Sequence, residues 1–198
     1  MTLELLIPLA LFGIASSITP GPNNLMLLAS GANFGLRRTL PHMLGISLGH
    51  AFMVSMVGLG LLQLFEMLPW LRIALMIISA AYLLYLAWKI ANAAPPEDAP
   101  QNARPFTFLQ AAGFQWVNPK AWYMAIYAQT NFTTPDAGWV GAMAVAVVFA
   151  VVNFPSVAVW AWGGTQLKRF LSTGRRLRIF NVTMALLLVA SLYPMLTS

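Results

Sequence analysis

The sequence has no cysteine and very few charged residues. Charged side chains make up 8% of the 198 residues and hydrophobic ones 59%, whereas a soluble domain carries about 25% charged residues. Together with a mean hydropathy of +0.72, this composition excludes an ordinary soluble fold and indicates an integral membrane protein. The absence of cysteine excludes disulfides, thiol nucleophiles and cysteine metal sites.

Acidic residues are also scarce, and their positions matter. The five carboxylates lie in loops or near the ends of apolar segments, so none is available deep in a segment as a proton carrier. Divalent cations prefer several carboxylate oxygens, and we therefore predict no metal site and no cofactor. The net charge of +6 does not indicate nucleic-acid binding, because the basic residues gather in a few loops, as expected of a membrane protein.

Six apolar segments approach the roughly 20 residues that a bilayer span requires. They predict an all-α, polytopic membrane protein that forms a single transmembrane domain over residues 1–198. Residues 92–105, rich in alanine and proline, divide it into two halves of three helices, about 1–91 and 106–198. The predicted spans are Leu3–Gly31, Pro41–Leu64, Pro69–Ala91, Phe106–Thr130, Gly138–Trp162 and Arg178–Leu196.

Lysine and arginine predict the orientation of these spans. One side of the membrane receives nine basic residues, whereas the other receives Glu4, Glu66, Asp136 and only Arg72. By the positive-inside rule the basic side is cytoplasmic, so both termini are predicted to lie outside. The nine basic residues are Arg37, Arg38, Lys89, Arg104, Lys168, Arg169, Arg175, Arg176 and Arg178.

Two of the segments are interrupted by proline and polar residues. Threonine and asparagine are good N-caps, and proline favours the first helical position. Thr19-Pro20 and Asn118-Pro119 therefore predict a second half-helix within helices 1 and 4. The two prolines lie 119 − 20 = 99 residues apart in a chain of 198. Because three helices per half reverse the entry side of the second half, this spacing predicts a 3+3 inverted repeat.

The starts of the two half-helices predict a binding site near the bilayer midplane. A helix start exposes N–H groups and the positive end of its dipole, and the preceding half-helix leaves carbonyls. Such a site suits a small zwitterion, with its carboxylate on the N–H groups and its ammonium on the carbonyls. The alternative is that the prolines are only structural kinks. The predicted substrate-binding residues are Thr19, Pro20, Gly21, Pro22, Asn23, Asn24, Asn118, Pro119 and Lys120.

Several other polar residues lie within the apolar segments. Lys120 is near mid-segment, where an ammonium costs at least about 2.5–3.5 kcal/mol; it indicates a substrate-carboxylate partner, unless it is simply held by carbonyls at the break. His50 lies near the centre of helix 2, and it is the candidate for proton coupling because histidine changes charge near neutral pH. His42 is predicted at a helix end, in the interface. Asn153 and Pro155 predict another break, in helix 5.

Three motifs, Thr19–Asn24, Gly45–Gly49 and Asn118–Ala121, together resemble signatures of the LysE/RhtB family of amino-acid exporters. The resemblance extends over essentially the whole chain. It implies a secondary transporter that exports amino acids or close derivatives across the bacterial cytoplasmic membrane, driven by the proton gradient. Ala81–Lys89 resembles the end of the family's third helix. Within the family, helix 3 and the C-terminal helix are most similar to the cysteine/O-acetylserine exporter subgroup. Some members have an acid where this chain has His50, so proton coupling here needs a different group.

Other functions fit the sequence less well. An ion or metal carrier of similar fold would lack deep carboxylates, and a non-catalytic assembly subunit would lack a polar path. An intramembrane enzyme acting on a phosphorylated lipid would use Arg175, Arg176 and Arg178 as an anion clamp, but the sequence has no nucleophile motif or metal cluster. We therefore predict no enzymatic activity. The expected partners are a small amino-acid substrate, protons and the lipid bilayer, without nucleic acid and with a homo-oligomer left open.

Overall fold

All regular elements in the described part of the chain are helical. The computed structural model describes residues 3–93, 104–168, 170–171 and 174–193, so most of the predicted linker and the end of the sixth predicted span lie outside them. The all-α prediction is confirmed. The helices are α1 (Leu3–Ile18), α2 (Pro22–Phe34), α3 (Leu36–Met56), α4 (Leu62–Met67), α5 (Pro69–Ala91), α6 (Phe108–Phe114), α7 (Pro119–Phe132), α8 (Gly138–Lys168) and α9 (Gly174–Ala190).

The first predicted break is present, and we call its residues, Thr19–Gly21, the first break. The axes of α1 and α2 bend there by 56°. The prediction that Thr19 and Pro20 start the second half-helix is wrong by two residues, because Gly21 is the N-cap and Pro22 is the first helical residue. Thr19 instead continues α1, since its N–H still bonds to the carbonyl of Ala15 and its hydroxyl donates to the backbone carbonyl of Ser16 at 2.8 Å.

The second predicted break is also present, and we call residues Gln115–Asn118 the second break. A 3-10 turn over Gln115–Val117 follows α6, and Asn118 is the N-cap of α7, with Pro119 at the first helical position. Here the predicted asparagine–proline pair is confirmed. The two half-helices therefore start at Pro22 and Pro119, which are 119 − 22 = 97 residues apart. The predicted starts, Pro20 and Pro119, are 99 residues apart.

Glycines allow two pairs of helices, α2 with α8 and α3 with α6, to approach at backbone distance. A Cβ on Gly31 of α2 would lie 2.0 Å from the carbonyl oxygen of Ala161 in α8, and one on Gly164 would lie 2.1 Å from that of Leu28. Gly45 and Gly49 of α3 meet α6 in the same way, with Cβ positions 2.4 Å and 2.5 Å from backbone atoms of the neighbour. These contacts hold α2 and α3 against the elements that contain Asn153 and the second break.

The described helices include three stretches long and apolar enough to cross a membrane: Leu36–Leu61, Ile73–Ala91 and Gly138–Leu167. The bent α1–α2 pair makes a fourth if it counts as one span. Six spans are therefore not confirmed, since α6 has 7 residues and α9 has 17, below the roughly 20 of a full crossing. The chain is a multi-pass membrane protein of all-helical fold.

One further prediction about the helices differs from the structure. The predicted break at Asn153 and Pro155 is wrong, because α8 runs without interruption from Gly138 to Lys168. A proline removes only one bond of the helical ladder, and α8 is supported along its length by α1, α2 and α3. The irregularity lies in α3 instead, which continues into a π-helical turn, Val57–Leu61, where Gly60 adopts a φ of 102°.

Candidate functional site

One polar cavity joins the two breaks. Gly21 of the first break and Asn118 of the second both line it, together with predicted site residues from the helices that follow. Its volume is about 20 Å³, which is room for one water molecule and not for an amino acid. The structure thus brings the two predicted half-helix starts together, in a closed arrangement. The predicted site residues lining the cavity are Gly21, Asn23, Asn24, His50, Asn118 and Lys120.

Lys120 connects the second half-helix to the first break. Its ammonium donates hydrogen bonds to the carbonyl of Thr19 at 2.7 Å, to the Thr19 hydroxyl at 2.8 Å and to the carbonyl of Pro20 at 3.3 Å. Within the described residues no carboxylate lies at ion-pair distance from this ammonium. The alternative interpretation from sequence, a lysine held by carbonyls at the break, therefore describes its contacts, and its charge remains uncompensated.

The carbonyls that α1 leaves at its end accept hydrogen bonds from protein side chains. The amide of Asn24 donates to the carbonyls of Ser17 at 2.8 Å and Thr19 at 2.7 Å. The indole N–H of Trp160 in α8 donates to the carbonyl of Ile18 at 2.9 Å. Asn24 is almost fully buried, at 2% exposed, and is thus the main internal support of the first break.

Asn23 pairs with a glutamine that sequence reasoning missed. Its Nδ2 donates to Oε1 of Gln115 at 2.9 Å, and Nε2 of Gln115 donates back to its Oδ1 at 3.1 Å. Gln115 also donates to the carbonyl of Ala111 at 2.9 Å and is fully buried. The available signal was a glutamine three residues before Asn118 in an otherwise apolar segment. This reciprocal pair joins the start of α2 to the second break.

The two half-helix starts differ in how they are capped. The Oδ1 of Asn118 accepts a hydrogen bond from the backbone N–H of Lys120 at 3.2 Å. The backbone carbonyl of Asn118 accepts from the backbone N–H groups of Ala121 and Trp122. Gly21 has no side chain, and no described side chain caps α2. The positive end of the α2 dipole is therefore the more available of the two to an anion.

His50, the candidate for proton coupling, lies in the wall of the cavity. It is 2% exposed, its Nε2 lies 3.3 Å from the carbonyl of Ala121, and its ring meets Phe149 edge-on at 5.1 Å. Its Nδ1 has no partner among the described groups. The prediction that His42 lies in the interface is wrong, because α3 begins at Leu36 and buries His42 completely, outside the cavity.

A chain of hydrogen bonds crosses the cavity wall between three helices. The hydroxyl of Ser47 in α3 donates to Oδ1 of Asn153 in α8 at 3.0 Å, and Nδ2 of Asn153 donates to the hydroxyl of Ser17 in α1 at 3.1 Å. Asn153 lines the cavity. Thus its role is to line and connect, rather than to break α8.

The described residues contain no group of three or more histidine, aspartate or glutamate side chains that would hold a metal ion. Chemically, the site offers one uncompensated ammonium, a weakly capped helix start and several neutral amides and hydroxyls. These groups fit the recognition of a small polar molecule that carries a carboxylate, through charge and hydrogen bonds. Nothing in this set supplies a nucleophile with an adjacent base.

Comparisons with known proteins agree over nearly the whole chain. It is 32% identical over 193 residues to a cysteine/O-acetylserine efflux protein of Klebsiella pneumoniae subsp. pneumoniae, covering 96% of this chain and 95% of the relative. Proteins of the same name from Escherichia coli (strain K12) and Salmonella typhimurium match at 32% identity, with 96% of both chains covered. No solved structure matches the chain. The sequence model of the LysE type translocator family matches residues 14–191. The chain therefore belongs to the LysE type translocator family, whose members are transporters and not enzymes.

Proposed function

We propose that the protein is a secondary transporter that exports amino acids or close derivatives across the bacterial cytoplasmic membrane. The observation that carries the proposal is the polar cavity shared by both breaks, where Lys120 has no carboxylate partner among the described residues. A half-buried ammonium without a carboxylate partner among the described residues favours a ligand that brings its own negative charge. The efflux of cysteine and O-acetylserine named for the relatives supports a free amino acid as that ligand.

The proposed topology is one domain over residues 1–198 with six crossings in two inverted halves, about 1–91 and 106–198, joined by the linker 92–105. Helices 1 and 4 each cross as two half-helices, α1–α2 and α6–α7. The start of α3 with Arg37 and Arg38, the end of α5 with Lys89 and the start of α9 with Arg175 face the cytoplasm. Both termini then lie outside.

The substrate carboxylate is proposed to bind near the midplane, between Lys120 and the half-helix starts. The start of α2 is the stronger candidate, because Asn118 already accepts from the first N–H groups of α7. Asn23 and Asn24 lie in the first turn of α2, beside the cavity. In this proposal Pro22 and Pro119 set the helix starts, and the remaining predicted residues, Thr19 and Pro20, act through the contacts with Lys120.

The test of this proposal is Lys120→Met, with efflux of labelled cysteine and O-acetylserine measured from cells. We expect export to fall at least about tenfold, as for the loss of one charge-assisted contact, while membrane insertion stays unchanged. Lys89→Met is the matched control, because Lys89 lies over the Phe106 ring at 4.9 Å and outside the cavity. Normal efflux by the Lys120 variant would contradict the carboxylate role. Failure of the native protein to export any amino acid would contradict the function itself.

Proton coupling is proposed to depend on His50. His50→Gln keeps a donor able to reach the carbonyl of Ala121 but removes the group that gains and loses a proton. In proteoliposomes we expect exchange of substrate across the membrane to continue, while accumulation driven by a pH gradient is lost. His42→Gln, in a buried histidine outside the cavity, serves as the control. Gradient-driven accumulation that persists in His50→Gln would remove His50 from the coupling role.

A further inference from the structure

The first break forms a cradle of three oxygens around one ammonium group. The cradle consists of the carbonyl and hydroxyl oxygens of Thr19 and the carbonyl oxygen of Pro20, at 2.7, 2.8 and 3.3 Å from Nζ of Lys120. A primary ammonium has three N–H donors and no acceptor. Three neutral oxygens facing one nitrogen therefore match this group in number and in polarity.

The lysine that fills the cradle is not part of the break that builds it. Lys120 lies 101 residues beyond Thr19 in the chain and reaches the cradle from α7. Its approach depends on Gly21, because a Cβ there would lie 2.8 Å from Cδ and 3.3 Å from Nζ of Lys120. Thr19 and Pro20 are exposed and Lys120 is only half-buried, so the ammonium can leave the cradle without disturbing the apolar core.

The three oxygens of the cradle accommodate only one ammonium at a time, because all three are hydrogen-bonded to Nζ of Lys120. The adjoining cavity measures about 20 Å³, enough for a water molecule but too small for an amino acid. A substrate ammonium can therefore take over these oxygens only if the side chain of Lys120 moves out of the cradle.

We propose that the cradle is the binding site for the α-ammonium group of the substrate, and that Lys120 fills it when no substrate is bound. The inference rests on the proposed export function and adds to it the subsite for the substrate ammonium and its occupation by Lys120 in the absence of substrate. On binding, the substrate ammonium takes over the three hydrogen bonds that Lys120 makes. The displaced Lys120 ammonium then pairs with the substrate carboxylate, so a zwitterion adds no net charge to the site.

The cradle is tested by chemical rescue of purified Lys120→Ala, without reference to transport. Propylammonium is the fragment that this substitution removes, so it should raise the melting temperature of Lys120→Ala and not that of the native protein or of Lys89→Ala. Tetramethylammonium, which has no N–H donor, and propionate should have no such effect. Rescue by tetramethylammonium equal to that by propylammonium, or no selective rescue of the folded variant, would overturn the cradle.

The role of the substrate ammonium is tested on the native protein, which also decides the matter if Lys120→Ala does not fold. In inverted vesicles that transport labelled cysteine, unlabelled cysteine should compete at least about tenfold better than N-acetylcysteine, which lacks the ammonium. Equal competition would overturn the inference while leaving export intact. Selective propylammonium rescue in a protein whose vesicles transport no amino acid would instead contradict the proposed function and leave the cradle standing.

Discussion

The two breaks differ in where their hydrogen-bond partners come from. At the second break, Asn118 satisfies the start of α7 by itself, through its side chain to Lys120 N–H and its carbonyl to Ala121 and Trp122. The first break depends on distant side chains, because Trp160 lies 142 residues beyond Ile18 and Lys120 lies 101 beyond Thr19. The start of α7 is thus capped by its own Asn118, whereas the carbonyls that precede α2 depend in part on side chains from α7 and α8.

This difference indicates that the second break serves as a scaffold, whereas hydrogen-bond partners can be exchanged at the first break. A locally capped break keeps its geometry when neighbouring helices shift, and Asn118 is 1% exposed. The carbonyls of the first break change partners as soon as α7 or α8 moves, and Thr19 and Pro20 are exposed. We therefore expect variants of the first break to affect export more than stability unless they remove its internal support.

Asn24→Leu removes that support and should have the largest effect on stability. With leucine in place of Asn24, the carbonyl of Ser17 loses its hydrogen-bond donor. The carbonyl of Thr19 loses one of its two donors and keeps the ammonium of Lys120. Since each unsatisfied buried group costs about 1–3 kcal/mol, we expect the free energy of unfolding to fall by about 2–4 kcal/mol. Denaturant titration of the purified protein measures this. Asn131→Leu is the control, because exposed Asn131 bonds only to the carbonyl of Tyr127; equal losses would contradict the role of Asn24.

Asn118→Ala should have an intermediate effect on stability. Loss of an N-cap side chain lowers the free energy of unfolding by about 1 kcal/mol, and the same titration detects it. Thr107→Ala, which removes the cap of α6, should cost a similar amount. Export per folded molecule should fall less than in Lys120→Met. An Asn118→Ala protein that folds but does not export would show that the second break is more than a scaffold.

Pro20→Ala should have the smallest effect on stability, within about 0.5 kcal/mol for an exposed position, but should lower export. Alanine restores a backbone N–H that can donate to Ser16, so α1 can extend and turn the carbonyl of residue 20 away from Lys120. Pro22→Ala is the control, because the first helical position needs no N–H partner. Efflux assays compare the two. Export by Pro20→Ala equal to that of Pro22→Ala would mean that this carbonyl is not needed.

The sequence could predict both breaks because proline and amides stand out in apolar segments. The start of α2 was misplaced by two residues, since Thr19-Pro20 and Gly21-Pro22 both satisfy the preference for a cap followed by proline. In the structure Thr19 bonds back to Ala15 and Ser16 of α1, and Gly21 is the N-cap of α2. The fourth predicted segment has only one such pair, Asn118-Pro119, and the start of its second half-helix there is confirmed.

The partners of the breaks could not be predicted, because they come from remote parts of the chain. Trp160 has no local signal that separates it from an interfacial tryptophan, and Gln115 acquires its role only through Asn23. Pro155 gave a false break because helix packing outweighs one missing hydrogen bond. The membership of the family follows from the motifs, whereas six spans and the inverted repeat stay predictions.

The backbone contacts of α2 with α8 have a mechanical consequence. Gly31 against Ala161, and Gly164 against Leu28, fasten the two helices at successive levels with no side chain between them. Such close packing of backbones favours movement of the two helices as one unit, because separating them would lose many close-packed contacts. We therefore expect α2 to stay against α8 during the proposed transport cycle. We expect the moving boundary to run through residues 19–21, with α1 on one side of the joint and the fastened pair on the other.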